Sequence, residues 1–273
     1  MPYRHAPYYI LVCIAVILAG FWASYFSVWG EVPWQFHAHG VAASIWVLMV
    51  LVQSWTPHHK QLALHRAVGK SSLLLFPFLI GGLFAIIDVT AKGFVAGDLV
   101  RTIFGGEFLI GLALAVAAYV TLYYRALKFR RKVWMHSGYM LATPLILFES
   151  PLSRVFGTWL PGLTIKGPQD FDRLIPSIVW AMAVELVVIA ALWFNYRERA
   201  KPFLVAGVFI VGQMLTMGLL SDNALLEGLL VMLAPVPSTV VVLTGMILGA
   251  GTAWAGWEAG KRPASLPGAA QAA

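Results

Sequence analysis

Apolar stretches of about twenty residues recur along nearly the whole chain, and that recurrence leaves very few architectures open. Lipid offers no water to pair with a backbone N–H or C=O. A crossing segment must therefore close its own hydrogen bonds as a helix of roughly 20 mostly apolar residues. Such segments occupy residues 8–29, 36–55, 68–89, 102–124, 134–150, 174–194, 203–220 and 237–257. The first follows Arg4 as a signal peptide would, but it is too long and lacks a convincing small-residue cleavage site, so it reads as a helix. The fifth is short, ending at Glu149-Ser150-Pro151, with an interfacial continuation expected through Trp159. Residues 221–235 are too short and too punctuated to cross alone, and read as a re-entrant or interfacial helix. The expected fold is all-α: a polytopic transmembrane helix bundle of about eight spans, with seven as the alternative. It forms one integral membrane unit over residues 1–262, followed by a disordered tail at 263–273.

Composition acts mainly by exclusion. The chain is 60% hydrophobic and 11% charged, where a soluble domain carries about 25% charged residues, so a water-facing globule is ruled out. The single cysteine, Cys13, lies in an apolar run and excludes a disulfide framework or a four-thiolate metal site. Motifs for phosphate loops, nucleophile elbows and zincins are absent, and no intramembrane lysine is placed for a retinal Schiff base.

The charges orient the bundle. With eight spans, one side receives both termini and the loops at 56–67, 125–133 and 195–202, which together hold 14 of the 19 basic residues against only Glu198 and Glu258. The opposite side holds five basic residues against nine acids. The positive-inside rule makes the first side cytoplasmic, with both termini there, in a bacterial inner (plasma) membrane. Orientation and anionic headgroups account for the basic loops, so no nucleic-acid partner is expected despite a net charge of +7. Six tryptophans, Trp29, Trp34, Trp55, Trp134, Trp159 and Trp257, fall at span ends as aromatic belts do, leaving only Trp46 and Trp180 deep enough to be core or ligand-facing.

Three polar constellations interrupt this apolar plan. His65 opens the third span and His136 the fifth, both entering from the basic side, so the two imidazoles can lie at equal depth. Two opposed imidazoles are what a haem iron takes, and Met140, one turn beyond His136, is an alternative soft axial ligand. The plain structural alternative is a pair of interfacial anchors beside Arg66, Lys70 and Arg130–Lys132. On the opposite side His37, His39, Glu107 and Glu149, with Asp88 nearby, supply the ligand types that Zn or Fe accepts. There the carboxylates could instead pair with Arg101 and Arg154, and Gly105, Gly106 and Gly111 suggest tight packing around Glu107. Third, Glu185 lies about halfway along the sixth span, where a carboxylate costs a few kcal/mol unless protonated or paired. Gln53 and Gln213 are its candidate partners.

These residues also carry a resemblance. Phe36-His37-Ala-His39, Trp46, Gln53, His65-Arg66-Ala-Val-Gly69, then His136-Ser-Gly-Tyr139-Met140-Leu-Ala-Thr143, Pro151 and Arg154, resemble a family of uncharacterised bacterial polytopic membrane proteins, over about residues 36–154. More distantly, the arrangement is similar to the ascorbate-reducible di-haem membrane cytochromes, in which histidines from alternate helices hold a haem on each side of the membrane. His65 and His136 match one such pair. The other pair has no counterpart, because the fourth span lacks a histidine, so the resemblance implies one haem b. The leading expectation is thus an integral membrane redox protein holding haem b through His65 and His136, passing electrons to or from quinone or a partner protein. The alternatives are a metal-dependent membrane enzyme using the His37/His39/Glu107/Glu149 group, and a proton-coupled transporter centred on Glu185.

Overall fold

The computed structural model describes residues 2–261, leaving aside the side chain of Leu147; the tail expected to be disordered at 263–273 lies outside the described residues. Nine α-helices, with no strand among the described residues, follow one another as α1 (Ala6–Phe21), α2 (Trp34–Trp55), α3 (Leu62–Val95), α4 (Leu99–Lys128), α5 (Val133–Trp159), α6 (Leu174–Tyr196), α7 (Lys201–Leu219), α8 (Ala224–Leu233) and α9 (Ser238–Ala259). Helix α1 runs on through a π-helical turn at Trp22–Phe26, and a 3-10 turn at Arg197–Ala200 joins α6 to α7. Six helical segments are long and apolar enough to cross a membrane: Ala6–Phe26, Trp34–Trp55, Leu62–Val95, Leu99–Lys128, Pro168–Leu219 and Ser238–Ala259. Outward-facing side chains such as Leu74, Val187, Phe194, Val208, Leu219 and Ile247 are largely exposed. In water that much apolar surface would drive aggregation, whereas lipid covers it. Trp180 belongs to this outer set, being 60% exposed, while Trp46 is fully buried; of the two deep tryptophans only Trp46 is core.

Helices α3, α4 and α5 form the inside of the bundle, and the others pack around them. Small residues set the closest approaches, as expected where helix association rests on packing rather than on expelling water. A Cβ on Gly82 would strike the backbone of His39 in α2, and one on Gly249 of α9 would strike Pro77 in α3. Glycines 105 and 106 of α4 face Leu230 and Leu226 of the short α8, and Gly111 faces Met217 of α7, so the expected tight packing around Glu107 is present. The core itself is aromatic. Trp46 stacks near Phe76 and Tyr123 with ring centres 5.5 and 5.3 Å away, and its indole N–H donates to Thr143 Oγ1 at 2.9 Å.

Helix α5 departs from expectation. It does not stop at Glu149-Ser150-Pro151 but continues unbroken through Pro151 to Trp159. A proline inside a helix removes one N–H and leaves the carbonyl four residues back without that donor, yet the helix runs on through Pro151, held by its packing. Ser153 Oγ and Arg154 Nη1 both donate to Ser150 O, at 3.0 and 2.8 Å, and Gly20 of α1 lies directly against the Pro151 backbone.

At the end of the bundle opposite the termini, one buried carboxylate ties three helices. Asp88 of α3 accepts from Lys92 at 2.6 Å, from Gln35 of α2 at 3.2 Å and from Ser238 of α9 at 2.8 Å. Arg101 or Arg154 was the alternative partner expected for Asp88, but Arg101 pairs with Asp98 at 2.9 Å, and Asp98 caps α4 by accepting from the Arg101 backbone N–H. Asp88→Ala strips this knot of its carboxylate, leaving Gln35 and Ser238 without their acceptor and Lys92 with only its bond to Ser238 Oγ. The expected cost is about 1–3 kcal/mol, read as a lowered Tm of the detergent-solubilised protein; an unchanged Tm would show that the knot is ornamental.

Candidate functional site

The α2–α3 and α4–α5 connections and both chain ends lie at one end of the bundle, where most of the basic residues also fall; we call it the basic end. A cavity of about 420 Å³ opens there, lined by His65, His136, Met140, Gln53, Ser72 and Trp257 among others. Its size falls within the range of about 300–1,000 Å³ typical of small-molecule and cofactor sites. His65 and His136 each sit in the first turn of their helices, and parallel α3 and α5 bring them within electrostatic reach of one another.

The two rings are held differently. Nδ1 of His136 lies 2.9 Å from the carbonyl oxygen of Ala126, in the last turn of α4. Carbonyls near a helix C-terminus lack intrahelical donors, and a carbonyl can only accept. Nδ1 therefore carries the proton, and Nε2 is left with a free lone pair. Tying one ring nitrogen to a carbonyl in this way is how ligating histidines are oriented. His65 is positioned mainly through its backbone, since Gln53 of α2 donates to His65 O at 2.9 Å, and its Nδ1 has only a long 3.5 Å contact with Thr56 Oγ1. Arg66, Lys70 and Arg130 also line the cavity, and none of the three pairs with a carboxylate among the described residues. Arg130 is anchored by donation to Leu127 O and Trp257 O, with its guanidinium 4.3 Å above the Trp257 ring.

The group at the other end of the bundle is dispersed. His37 engages the Tyr25 hydroxyl at 3.1 Å and stacks on Trp29 at 4.3 Å. His39 is turned the other way, into the bundle, with a buried Nδ1 that has no hydrogen-bond partner. Glu107 is buried on α4 facing the side of α8, within reach of the charges of Asp222 and Glu227. Glu149 lies elsewhere, beside Glu185. Among the described residues no three His, Cys, Asp or Glu side chains converge to hold a metal ion.

Glu185 is 1% exposed and neither carboxyl oxygen makes a hydrogen bond of good geometry. The amides considered as its partners are engaged elsewhere: Gln213 donates to Gly111 O at 3.0 Å and Gln53 to His65 O. Its polar surroundings are instead Glu149 of α5, Cys13 of α1 and the Tyr119 hydroxyl of α4. Tyr119 was not singled out in the sequence, nor was Tyr123 one turn along, whose hydroxyl donates to Ser72 Oγ at 2.8 Å while Ser72 donates to Gly69 O. The available signal was Tyr119, set five residues inside the end of its span and away from the interfacial belts that tyrosines favour; Tyr123, at the span's edge, carried none.

Comparison with protein-family models, curated proteins and solved structures returns no match. Function must be argued from this chain's own geometry.

Proposed function

We propose that the chain is a multi-pass membrane redox protein, crossing a bacterial inner membrane eight times with its basic end in the cytoplasm, and that it binds one haem b in the basic-end cavity. The observation that carries this reading is the pairing of His65 and His136 on one cavity, with the His136 Nδ1–H committed to Ala126 O so that Nε2 is free. His65 and His136 are the ligands, with Met140, one turn along α5, as the alternative to His136. Arg66 and Lys70 are the groups suited to the propionates, as cations unpaired by any described carboxylate. The haem supplies one-electron chemistry; the chain supplies orientation, through Ala126 O and Gln53, and an apolar wall that raises the cost of charging the iron. Quinone or a partner protein is the electron donor or acceptor. The likeness to the bacterial membrane family and, distantly, to di-haem cytochromes belongs to the same proposal.

The test is a reduced-minus-oxidised absorption spectrum of detergent-purified protein made with haem supplied. A sharp haem b α-band at near one haem per chain is expected. A flat spectrum from folded protein would discard the reading.

Orientation is tested separately. Cys13 is buried, so a Cys13→Ala background carrying Lys132→Cys reports one loop alone. Membrane-impermeant maleimide should label it in inverted vesicles and leave it untouched in intact cells; the reverse pattern would put the basic end outside.

A further inference from the structure

Glu149, Glu185 and Tyr119 have so far been given no task, and their geometry is unusual for a helix interior. Glu185 and Tyr119 are 1% and 0% exposed, and neither the Glu185 oxygens nor the Tyr119 hydroxyl makes a hydrogen bond of good geometry, the Glu149 backbone being the polar group close to Glu185. Three polar atoms so placed in one apolar region carry a penalty that folding alone does not explain. Glu149 brings a second carboxyl into range of the first. Two carboxylates so placed, Glu185 fully buried and Glu149 half-buried, cannot both hold a charge cheaply; one proton held between them removes most of that cost.

The charged and titratable groups around the pair fit this state. From α1 comes the Cys13 thiol, from α4 the Tyr119 hydroxyl, and from α5 Arg154, one turn beyond Glu149. Helix α7 packs along α6 but has only Lys201, at its basic-end start. The turn Arg197–Ala200 is likewise at the basic end, and in the Pro168–Arg173 turn Arg173 pairs with Asp170 at 3.2 Å. Among the described residues Arg154 is therefore the one cation near the pair. It is not buried with it: Arg154 lines a second cavity of about 390 Å³, at the end of the bundle opposite the histidines, together with Tyr25, Glu31, Phe21 and Phe36. The carboxyl pair thus lies one helical turn behind an open vestibule.

We propose that Glu149 and Glu185 form an intramembrane proton-binding site, two carboxyls holding one proton, which exchanges with solution through the Arg154 vestibule. The Tyr119 hydroxyl stands within electrostatic reach of Glu185, and Arg154 balances the remaining negative charge. This site is independent of the haem reading, since it shares no residue with the basic-end cavity.

Infrared spectroscopy of the purified full-length chain tests it. At neutral pH a protonated-carboxyl C=O band is expected that shifts in D₂O. Glu185→Gln and Glu149→Gln should each abolish or displace it, and Glu107→Gln should leave it in place. Dicyclohexylcarbodiimide, which attacks protonated carboxyls in apolar surroundings, should add one label per chain, mapped to Glu149 or Glu185 and unaffected by sodium. Tyr119→Phe keeps the packing and should move the band without removing it, which carries the test if Glu185→Gln fails to fold. A folded chain with no such band, or a band untouched by both glutamine variants, overturns the proposal. So does labelling that sodium blocks and choline does not, because the site would then hold a metal cation.

Discussion

His136→Ala is expected to abolish the haem b α-band of the purified protein, to under about a tenth of its intensity, without loss of membrane insertion. The ring lies in the first turn of α5, where deletion opens a cavity wall and does not cut into the aromatic core. Its removal takes away the one imidazole whose tautomer the fold dictates through Ala126 O. His65→Ala should have the same outcome, whereas His58→Ala, at the rim of the same cavity, should keep the band. A band that survives both His65→Ala and His136→Ala would assign the haem elsewhere or remove it from the account altogether. The Met140→Ala variant then separates the two ligand sets: bis-histidine ligation leaves the α-band position unchanged, and His–Met ligation shifts it.

The second large effect is on stability. Trp46→Ala should lower unfolding stability by about 3–5 kcal/mol, the usual cost of truncating a large buried aromatic, and Trp46→Phe by about 1 kcal/mol, the worth of one buried hydrogen bond. The side chain is fully buried, touches Phe76 of α3 and Tyr123 of α4, and donates to Thr143 of α5, so it joins four helices at one point. Solvent exclusion contributes little in lipid, which makes lost contact and the lost bond to Thr143 the main terms. Thermal melting of the two variants side by side checks the ordering; equal losses would mean that the ring is dispensable and the indole N–H is what matters.

Much of the fold was legible because the bilayer imposes its own length rule: each apolar run identified in the sequence lies on a helix, and the punctuated stretch 221–235 contains only the ten-residue α8. The failures occur where the outcome depends on neighbours. Pro151 after Glu149-Ser150 reads locally as a stop, and the close approach of Gly20 of α1 to its backbone is a tertiary contact that the local sequence does not show. The depth of His65 and His136 could be read, since both begin spans entering from one side. Which faces the helices turn toward each other could not, and that decides the rest. Facing put Glu149 beside Glu185 when sequence grouped it with His37, His39 and Glu107, sent Gln213 to Gly111 O, and turned Trp180 outward.

Helix α3 has 34 residues, about 51 Å at 1.5 Å per residue, while the hydrocarbon layer is about 30 Å thick. Even a tilt of about 40° leaves roughly 39 Å along the membrane normal, so the helix must overhang. Its continuous apolar stretch begins at Leu73, and the preceding turns carry His65, Arg66, Gly69 and Lys70. These turns form part of the wall of the basic-end cavity, so in the proposed orientation the cavity opens toward headgroups and water. Whatever fills it can arrive and leave along the membrane normal, with no lateral parting of helices, and its occupancy should respond to ionic strength and to the anionic lipid content of the leaflet.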